Sequence, residues 1–302
     1  MNKVLLYYKN PRIFLKDFLW KFSKYIKNDR LYIRLKYWVM MGSLPDLKKP
    51  EAFTEKLQWI KLYDRKPIYH DMVDKVEMKK FVADRIGLMY TIPTIGVWDN
   101  FDDIDFDALP EKYIIKCTHD SGSYVICTPQ APLDIEKVRQ KLKKAFKHDY
   151  YIYSREWPYR GLKKRIIIEP LLIDSSGANY LTDYKFYCFN GEPKFFYITS
   201  DRGSKLGLTE DFFYIDGTPC EFTQVGERRA PVCPPLPRNL SKMIEFSRVL
   251  SANTYHIRID FYEVNERIYV GELTFFDGGG FFGFEPKEYN KIIGEWIKLP
   301  VD

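Results

Sequence analysis

From His256 to Phe282 the chain reads HIRIDFYEVNERIYVGELTFFDGGGFF, and no other stretch limits the fold as much. Alternation puts Ile257, Ile259 and Phe261 on one face of a strand and Arg258 and Asp260 on the other. Val264-Asn265-Glu266-Arg267 supplies a turn, and a return strand from Ile268 to Phe275 sets Glu272 and Thr274 on one face. A turn centred near Asn265 and Glu266 brings Glu272 opposite Asp260 or one place from it. Like charges facing each other across a sheet repel, so the pair makes sense with a cation between them. Mg²⁺ suits the position, because it takes few carboxylates and completes its shell with water and phosphate oxygens. Gly278-Gly279-Gly280 then lets the backbone approach a ligand closely. An exposed polar face on an edge hairpin is the plain alternative.

The 302 residues suffice for two or three subdomains sharing a core. No window of about 18 apolar residues exists, and Lys9 interrupts MNKVLLYYKN before a secretory hydrophobic region forms, so the expectation is a cytosolic chain. Five cysteines without CxxC spacing read as reduced and mostly buried, and four scattered histidines argue against zinc. Residues 1–50 hold 12 Lys and Arg against 3 Asp and Glu, leaving 35 against 38 elsewhere. With all the excess positive charge in the first sixth of the chain, a general nucleic-acid role is not expected.

Leu15, Phe18, Leu19, Phe22 and Ile26 fall at helical spacing, with Lys16, Lys21 and Lys24 elsewhere on the wheel, and LYIRLKYWVMM follows. Such a segment suits either an anionic membrane surface or a helix packed on the body with a solvated rim. A helix holding Asp74-Lys75 runs to about Ile86, where Gly87 ends it; Tyr90 to Trp98 reads as a strand. Asp99 to Asp107 is an acidic loop with two DxD triplets, the kind that holds a sugar nucleotide in many glycosyltransferases. Strand 113–117, the small polar loop 118–123 and strand 124–127 form a flap, with Lys116 as a point charge. GxxxxGK[ST] spacing is absent. After a helix over 134–147 and an aromatic cluster over 150–159 comes a strand, Arg165 to Ile173, whose Glu169 needs a partner if buried. A hairpin turns at Asn190-Gly191 between strands 183–189 and 194–198. Loops with short strands fill 202–237, and a helix covers 240–250.

Asp74-Lys75, Lys116 before its small-residue loop, IIIEP, and RID followed by GELT stand in the order seen in the ATP-grasp superfamily. EAFTEKLQWIKLYDR, KCTHDSGSYVIC, REWPY, DYKFYCFNGEPKF, RIDFYEV and GELTFF resemble, more narrowly, its TupA-like family, associated with teichuronopeptide and capsular polysaccharide biosynthesis. The likeness covers about residues 50–300. It implies an α+β ATP-grasp fold with two subdomains clasping ATP: a basic helical segment over 1–50, a pre-grasp region over 51–110, a lid subdomain over 111–168 and a core subdomain over 169–302. Lys75 and Lys116 would contact phosphates, and Ser121, Gly122 and Ser123 would close over them. Glu169, Pro170 and Leu171 would form the adenine-side hinge, and Asp183 would meet the ribose. Arg258 would stabilise the transferring phosphoryl group while Asp260 and Glu272 hold Mg²⁺; Thr274 stands where the superfamily often has Asn, so a water-mediated contact is as readily expected there.

The implied reaction joins an amine, such as an amino acid, to the carboxylate of a uronic-acid saccharide through an acyl phosphate. Arg155, Trp157, Lys185, Arg202 and Gly279 are the candidates for substrate contact. The implied partners are that saccharide, the amine, and an anionic membrane surface or polysaccharide assembly proteins. A glycosyltransferase, a sugar kinase on the same fold and an inert docking module are the competing readings.

Overall fold

The computed structural model describes residues 11–175, 181–200 and 207–301. In chain order the helices are α1 (Pro11–Phe22), α2 (Asp29–Met41), α3 (Phe53–Tyr63), α4 (Ile68–Val73), α5 (Glu77–Ile86), α6 (Ile135–Lys147), α7 (Tyr150–Ser154), α8 (Leu240–Ser251) and α9 (Tyr289–Glu295). The strands are β1 (Gly96–Trp98), β2 (Tyr113–Cys117), β3 (Val125–Cys127), β4 (Ile166–Pro170), β5 (Asp183–Phe189), β6 (Glu192–Ser200), β7 (Thr209–Tyr214), β8 (Thr223–Gln224), β9 (His256–Val264), β10 (Arg267–Thr274) and β11 (Phe284–Glu285). Antiparallel pairing builds a larger sheet in the order β10-β9-β5-β6-β7, a smaller one in the order β1-β4-β2-β3, and a β8–β11 pair.

The register of the larger sheet divides it into two unlike faces. Ile257, Ile259 and Phe261 share one face with Phe186, Cys188, Phe196 and Ile198, and these pack with Met243, Phe246 and Leu250 of α8 in the main core. Arg258 and Asp260 share the other with Asp183, Lys185 and Tyr187 of β5, Tyr197 and Thr199 of β6, and Glu210 of β7. Phe53 of α3 covers one end of that second face, at ring-centroid distances of 5.2 Å from His256 and 6.5 Å from Tyr187. A second apolar cluster, from Phe101 to Ile168, supports the smaller sheet.

The turn forms as read, with Asn265 and Glu266 both at positive φ. A two-residue turn by itself would pair Gly271 with Asp260. Instead the register shifts between Val270 and Glu272, and this bulge sets Glu272 directly opposite Asp260 and Thr274 opposite Arg258. Gly271 is needed at the shift, since a Cβ there would lie 2.5 Å from the Tyr262 ring.

Several elements differ from the sequence reading. The helix through Asp74-Lys75 is two helices, because the Asp74 carboxylate accepts hydrogen bonds from Val76 N (2.9 Å) and Glu77 N (3.1 Å) and starts a new one. Tyr90 to Trp98 is a strand only over its last three residues; Leu88–Tyr90 is a 3₁₀ turn, and Pro93 has no N–H to donate. The strand through Glu169 is likewise shorter than read. Within 202–237 stands a full six-residue strand, β7, whose buried Glu210 and Asp211 mask its alternation.

Candidate active site

Two ion clusters stand one on each sheet, the first around Glu169 and the second around Arg258. In the smaller sheet, Lys116 on β2 and Glu169 on the adjacent β4 share a face. Lys116 Nζ lies 2.6 Å from Glu169 Oε2, and Lys79 Nζ, reaching over from α5, lies 2.5 Å from Oε1. Burial opposes the charge on Glu169, but Lys116 and Lys79 overcome it and hold the carboxyl below its ordinary range. Burial pulls Lys79 down against the same attraction. Lys79 also donates to Ile92 O (2.7 Å) and borders a cavity of ≈ 730 Å³ with Val76, Leu88, Met89 and Tyr269 on its walls. That volume suits a small-molecule ligand.

Beside this cluster the flap is tied down at its root. Lys75 N donates to Thr118 O (3.2 Å), and the Lys75 ammonium bonds the Asp120 carbonyl. Ser123 is buried, its hydroxyl accepting from Cys117 N (3.0 Å) and donating to Asp120 Oδ1 (2.6 Å). Ser123 therefore pins the loop through its hydroxyl; Ser121 and Gly122 form the exposed tip. Leu171 N, just past Glu169 and Pro170, donates to Lys112 O (3.3 Å). Asn265 then joins this connection to the hairpin turn, accepting from Ser175 N (2.9 Å) and donating to Ile173 O (3.3 Å).

On the larger sheet Arg258 is the centre. Its Nε and Nη2 grip the Asp260 carboxylate at 2.7 and 2.8 Å, Nη1 lies 2.5 Å from Asp277 Oδ1, and Nη2 reaches Thr274 Oγ1 at 3.3 Å. Lys185 on β5 bonds Asp260 Oδ2, the oxygen that Arg258 Nη2 also holds. Burial again opposes ionisation, and Arg258 and Lys185 together hold Asp260 below the usual carboxylate range. Asp277 is depressed by Arg258 against burial, and accepts from Tyr187 Oη (2.6 Å) and Gln224 Nε2 (3.0 Å). Asp183 is tied to Thr199, whose hydroxyl accepts from Asp183 N (3.1 Å) and donates to Asp183 Oδ2 (2.9 Å). Lys185, read as a substrate contact, instead neutralises one of the two carboxylates assigned to the metal.

The glycine loop closes the site from below. Gly278, Gly279 and Gly280 all take positive φ, a run only glycine adopts without strain. Two buried polar residues of α3 support it: Lys61 Nζ donates to Gly279 O (2.5 Å) and Gln58 Nε2 to Gly280 O (2.7 Å). Glu156 lies near, its Oε1 3.7 Å from the place of a Gly279 Cβ. Burial pushes Glu156 up and Lys61 down, so both are drawn toward their neutral forms.

Two substrate candidates lie elsewhere and one is not placed. Arg155 is buried in structural work: Nη2 donates to Ser23 O (2.8 Å) and Ile26 O (2.6 Å), and Nε lies 3.1 Å from Asp29 Oδ1. This corrects its reading as a substrate contact. Trp157 packs on His70, at 5.3 Å between ring centroids, and against Arg65. Arg202 lies outside the described residues. The sequence reading missed Lys79, Asp277, Lys61, Glu156 and Glu210. Asp277 stands directly before the glycines, and Glu156 and Lys61 lie inside the motifs REWPY and EAFTEKLQWIKLYDR. Glu210 is buried on the ligand face with Oε2 unpartnered, and burial first, then Glu227 and Asp277, raises it to about 8.

A family model for TupA-like ATP-grasp proteins matches residues 55–298. The chain belongs to this family. Its fold is accordingly the ATP-grasp fold, of mixed α and β structure. Among solved structures, the D-alanine–D-alanine ligase from Bacillus anthracis complexed with ATP is similar at 15% identity and a TM-score of 0.39, over 67% of this chain and 54% of that one. The ATP-grasp ligase PsnB complexed with minimal precursor is similar at 10% identity and a TM-score of 0.40, over 74% of this chain and 60% of that one. The chain thus spans little more than half the length of these two. D-Alanine–D-alanine ligase from Helicobacter pylori gives 12% identity and a TM-score of 0.42, over 82% and 70%. No curated protein matches the chain.

In this TupA-like ATP-grasp chain the acids can be tested against the divalent ion that the family implies. Among the described residues no group of three or more His, Cys, Asp or Glu is arranged to hold a metal. Asp260 and Glu272, paired across the hairpin, offer two carboxylates, and Glu272 makes no hydrogen bond or ion pair among the described residues. Such a pair fits Mg²⁺, which needs few protein oxygens when phosphates and water complete its shell. The DxD run offers less: Asp99 lies 2.8 Å from Lys163, Asp102 pairs with Arg139, and Asp105 caps a turn.

Proposed function

We propose that this protein is an ATP-dependent ligase that joins an amine to a carboxylate through an acyl phosphate. The observation that carries the reading is the division of charge between the two clusters. One carboxylate lies between two lysines on the smaller sheet, while on the larger sheet Arg258 and Lys185 face Asp260, Asp277 and Glu272. The first cluster has a positive surplus for phosphate oxygens; the second has a negative surplus for a cation carried with them.

Mg²⁺, when bound, supplies a charge that screens the phosphate oxygens and the attacking carboxylate from one another. Asp260 and Glu272 are the residues that would hold it, with Thr274 beside them. Lys116 and Lys79 would bind the nucleotide phosphates, with Lys75 at the root of the flap whose Ser121-Gly122 tip would close over them. Glu169, Pro170 and Leu171 would form the hinge on the base side, and Asp183 would meet the ribose. Arg258, fixed by its carboxylates, would orient its guanidinium toward the phosphoryl group in transfer. In that step a substrate carboxylate oxygen bonds the γ-phosphorus and ADP leaves. The amine nitrogen then bonds the carbonyl carbon, phosphate leaves, and the nitrogen gives up a proton. Water receives it.

The substrate carboxylate is assigned to a uronic acid and the amine to an amino acid, a reading supported by the TupA-like motifs. Incubation with ATP and a uronic acid carrying heavy oxygen in its carboxyl group tests it. One labelled oxygen should appear in released phosphate, with an amide formed when amine is present. AMP with pyrophosphate would mean adenylation instead, and a stable phosphosugar would mean a kinase.

A further inference from the structure

We propose that α1 docks the protein on an anionic lipid bilayer through an exposed stripe of four aromatic rings. The helix has two working faces. Inward, Leu19 is buried, Trp20 stacks on Tyr153 at 4.4 Å between ring centroids, and the carbonyl of Ser23 just beyond the helix receives Arg155. Outward, Phe14, Phe18, Phe22 and Tyr25 follow at intervals of four, four and three residues and are 46%, 43%, 36% and 66% exposed. Successive rings lie 6.1, 4.5 and 6.1 Å apart, each resting on the next. Docking on the body therefore leaves Phe18, Phe22 and Tyr25 exposed among the described residues, so the two readings of the segment are compatible.

Charge identifies the occupant. Lys21 Nζ lies 6.0 Å from the centre of the Phe22 ring and Lys24 Nζ 5.0 Å from that of Tyr25, so ammonium groups border the rings at the stripe's C-terminal end. Aromatic rings beside lysines match the boundary between acyl chains and anionic headgroups, where rings enter and ammonium groups stay at headgroup level. Next along the chain, a cavity of ≈ 330 Å³ is lined by Lys24, Lys27, Tyr151, Arg155 and Arg160. The acid inside it, Asp29, is taken by Arg65, Arg155 and Tyr151. Lys24, Lys27 and Arg160 make no ion pair among the described residues, which leaves three cations for headgroup phosphates. A second copy of the chain would set these same cations against each other. The remainder of the chain, with 35 Lys and Arg against 38 Asp and Glu, adds no attraction for lipid and directs this end toward the membrane.

Sedimentation of the full chain with phosphatidylcholine vesicles, with and without phosphatidylserine, tests the proposal. Wild type should pellet with the anionic vesicles only and dissociate as salt rises. Phe18→Ser with Phe22→Ser should weaken this by about tenfold or more, and Lys21→Glu with Lys24→Glu should remove the salt-sensitive part; unchanged melting would show intact folding. Binding to neither vesicle, or equally to both, overturns the proposal. A wild-type dimer that the serine variants dissociate, without vesicle binding, would give the stripe to a second copy and overturn it as well.

Discussion

The two ion clusters use the same residue types to opposite ends. Around Glu169 one carboxylate serves two lysines, and the lysines are 12% and 17% exposed, within reach of a ligand. Around Arg258 the guanidinium serves two carboxylates and is buried with Asp260, while Asp277 and Glu272 are partly exposed. Burying charge is tolerable only where partners replace water, so each cluster is stable in itself and has one sign in excess. The difference suggests that the smaller sheet is built to meet an anion and the larger to meet a cation travelling with it.

The comparison breaks most visibly at Arg258. Arg258→Ala leaves buried Asp260 without its guanidinium and partly exposed Asp277 without its ion pair, and should cost about 3–5 kcal/mol, read by urea denaturation. Arg258→Lys should recover little, because one ammonium cannot reproduce the grip on Asp260 and the bond to Asp277 together.

That cluster was legible because period-two alternation and the Asn265-Glu266 turn are local signals. The bulge was not, since nothing in Val270-Gly271-Glu272 announces a shift, and the Tyr262 ring that excludes a side chain at 271 lies on the neighbouring strand. Lys79 looks like one lysine of a solvated helix face, and only the fold brings Glu169, 90 positions away, against it. The α3 sequence has Lys56, Gln58 and Lys61 on a helix that proves buried, and their purpose is to meet the carbonyls of Ile297, Gly280 and Gly279. Polar residues whose partners are distant backbone groups leave no pattern in sequence. β7 escaped for the related reason that its acids interrupt an apolar run.

A smaller effect is expected in the smaller sheet. Lys116→Ala should weaken nucleotide binding by roughly tenfold to a hundredfold through loss of a charged hydrogen bond, while stability changes less than in Arg258→Ala because Lys79 still pairs with Glu169. Equal destabilisation of the two variants would erase the contrast between an outward and an inward cluster.

Glu210 sharpens the account through pH. Its carboxyl is raised from 4.5 to about 8, so the folded protein keeps a proton that the unfolded chain releases, and this group lowers stability as pH rises between those values. Glu210→Gln lacks that slope. The variant's stability relative to wild type should grow from pH 5 to 8 and level off above it, in denaturation curves across that range. A flat difference would mean that Glu210 ionises normally.

Glu272→Gln should change stability least, within about 0.5 kcal/mol, because Glu272 has no partner to lose and faces a like charge. Its effect belongs to ligand binding, and there the two clusters meet in one measurement. Titration calorimetry with a non-hydrolysable ATP analogue, with and without Mg²⁺, should show Lys116→Ala weakening binding under both conditions and Glu272→Gln weakening it only when Mg²⁺ is present. Wild-type affinity in both variants under both conditions, with the folds intact, would contradict the assignment of the two clusters to one nucleotide site.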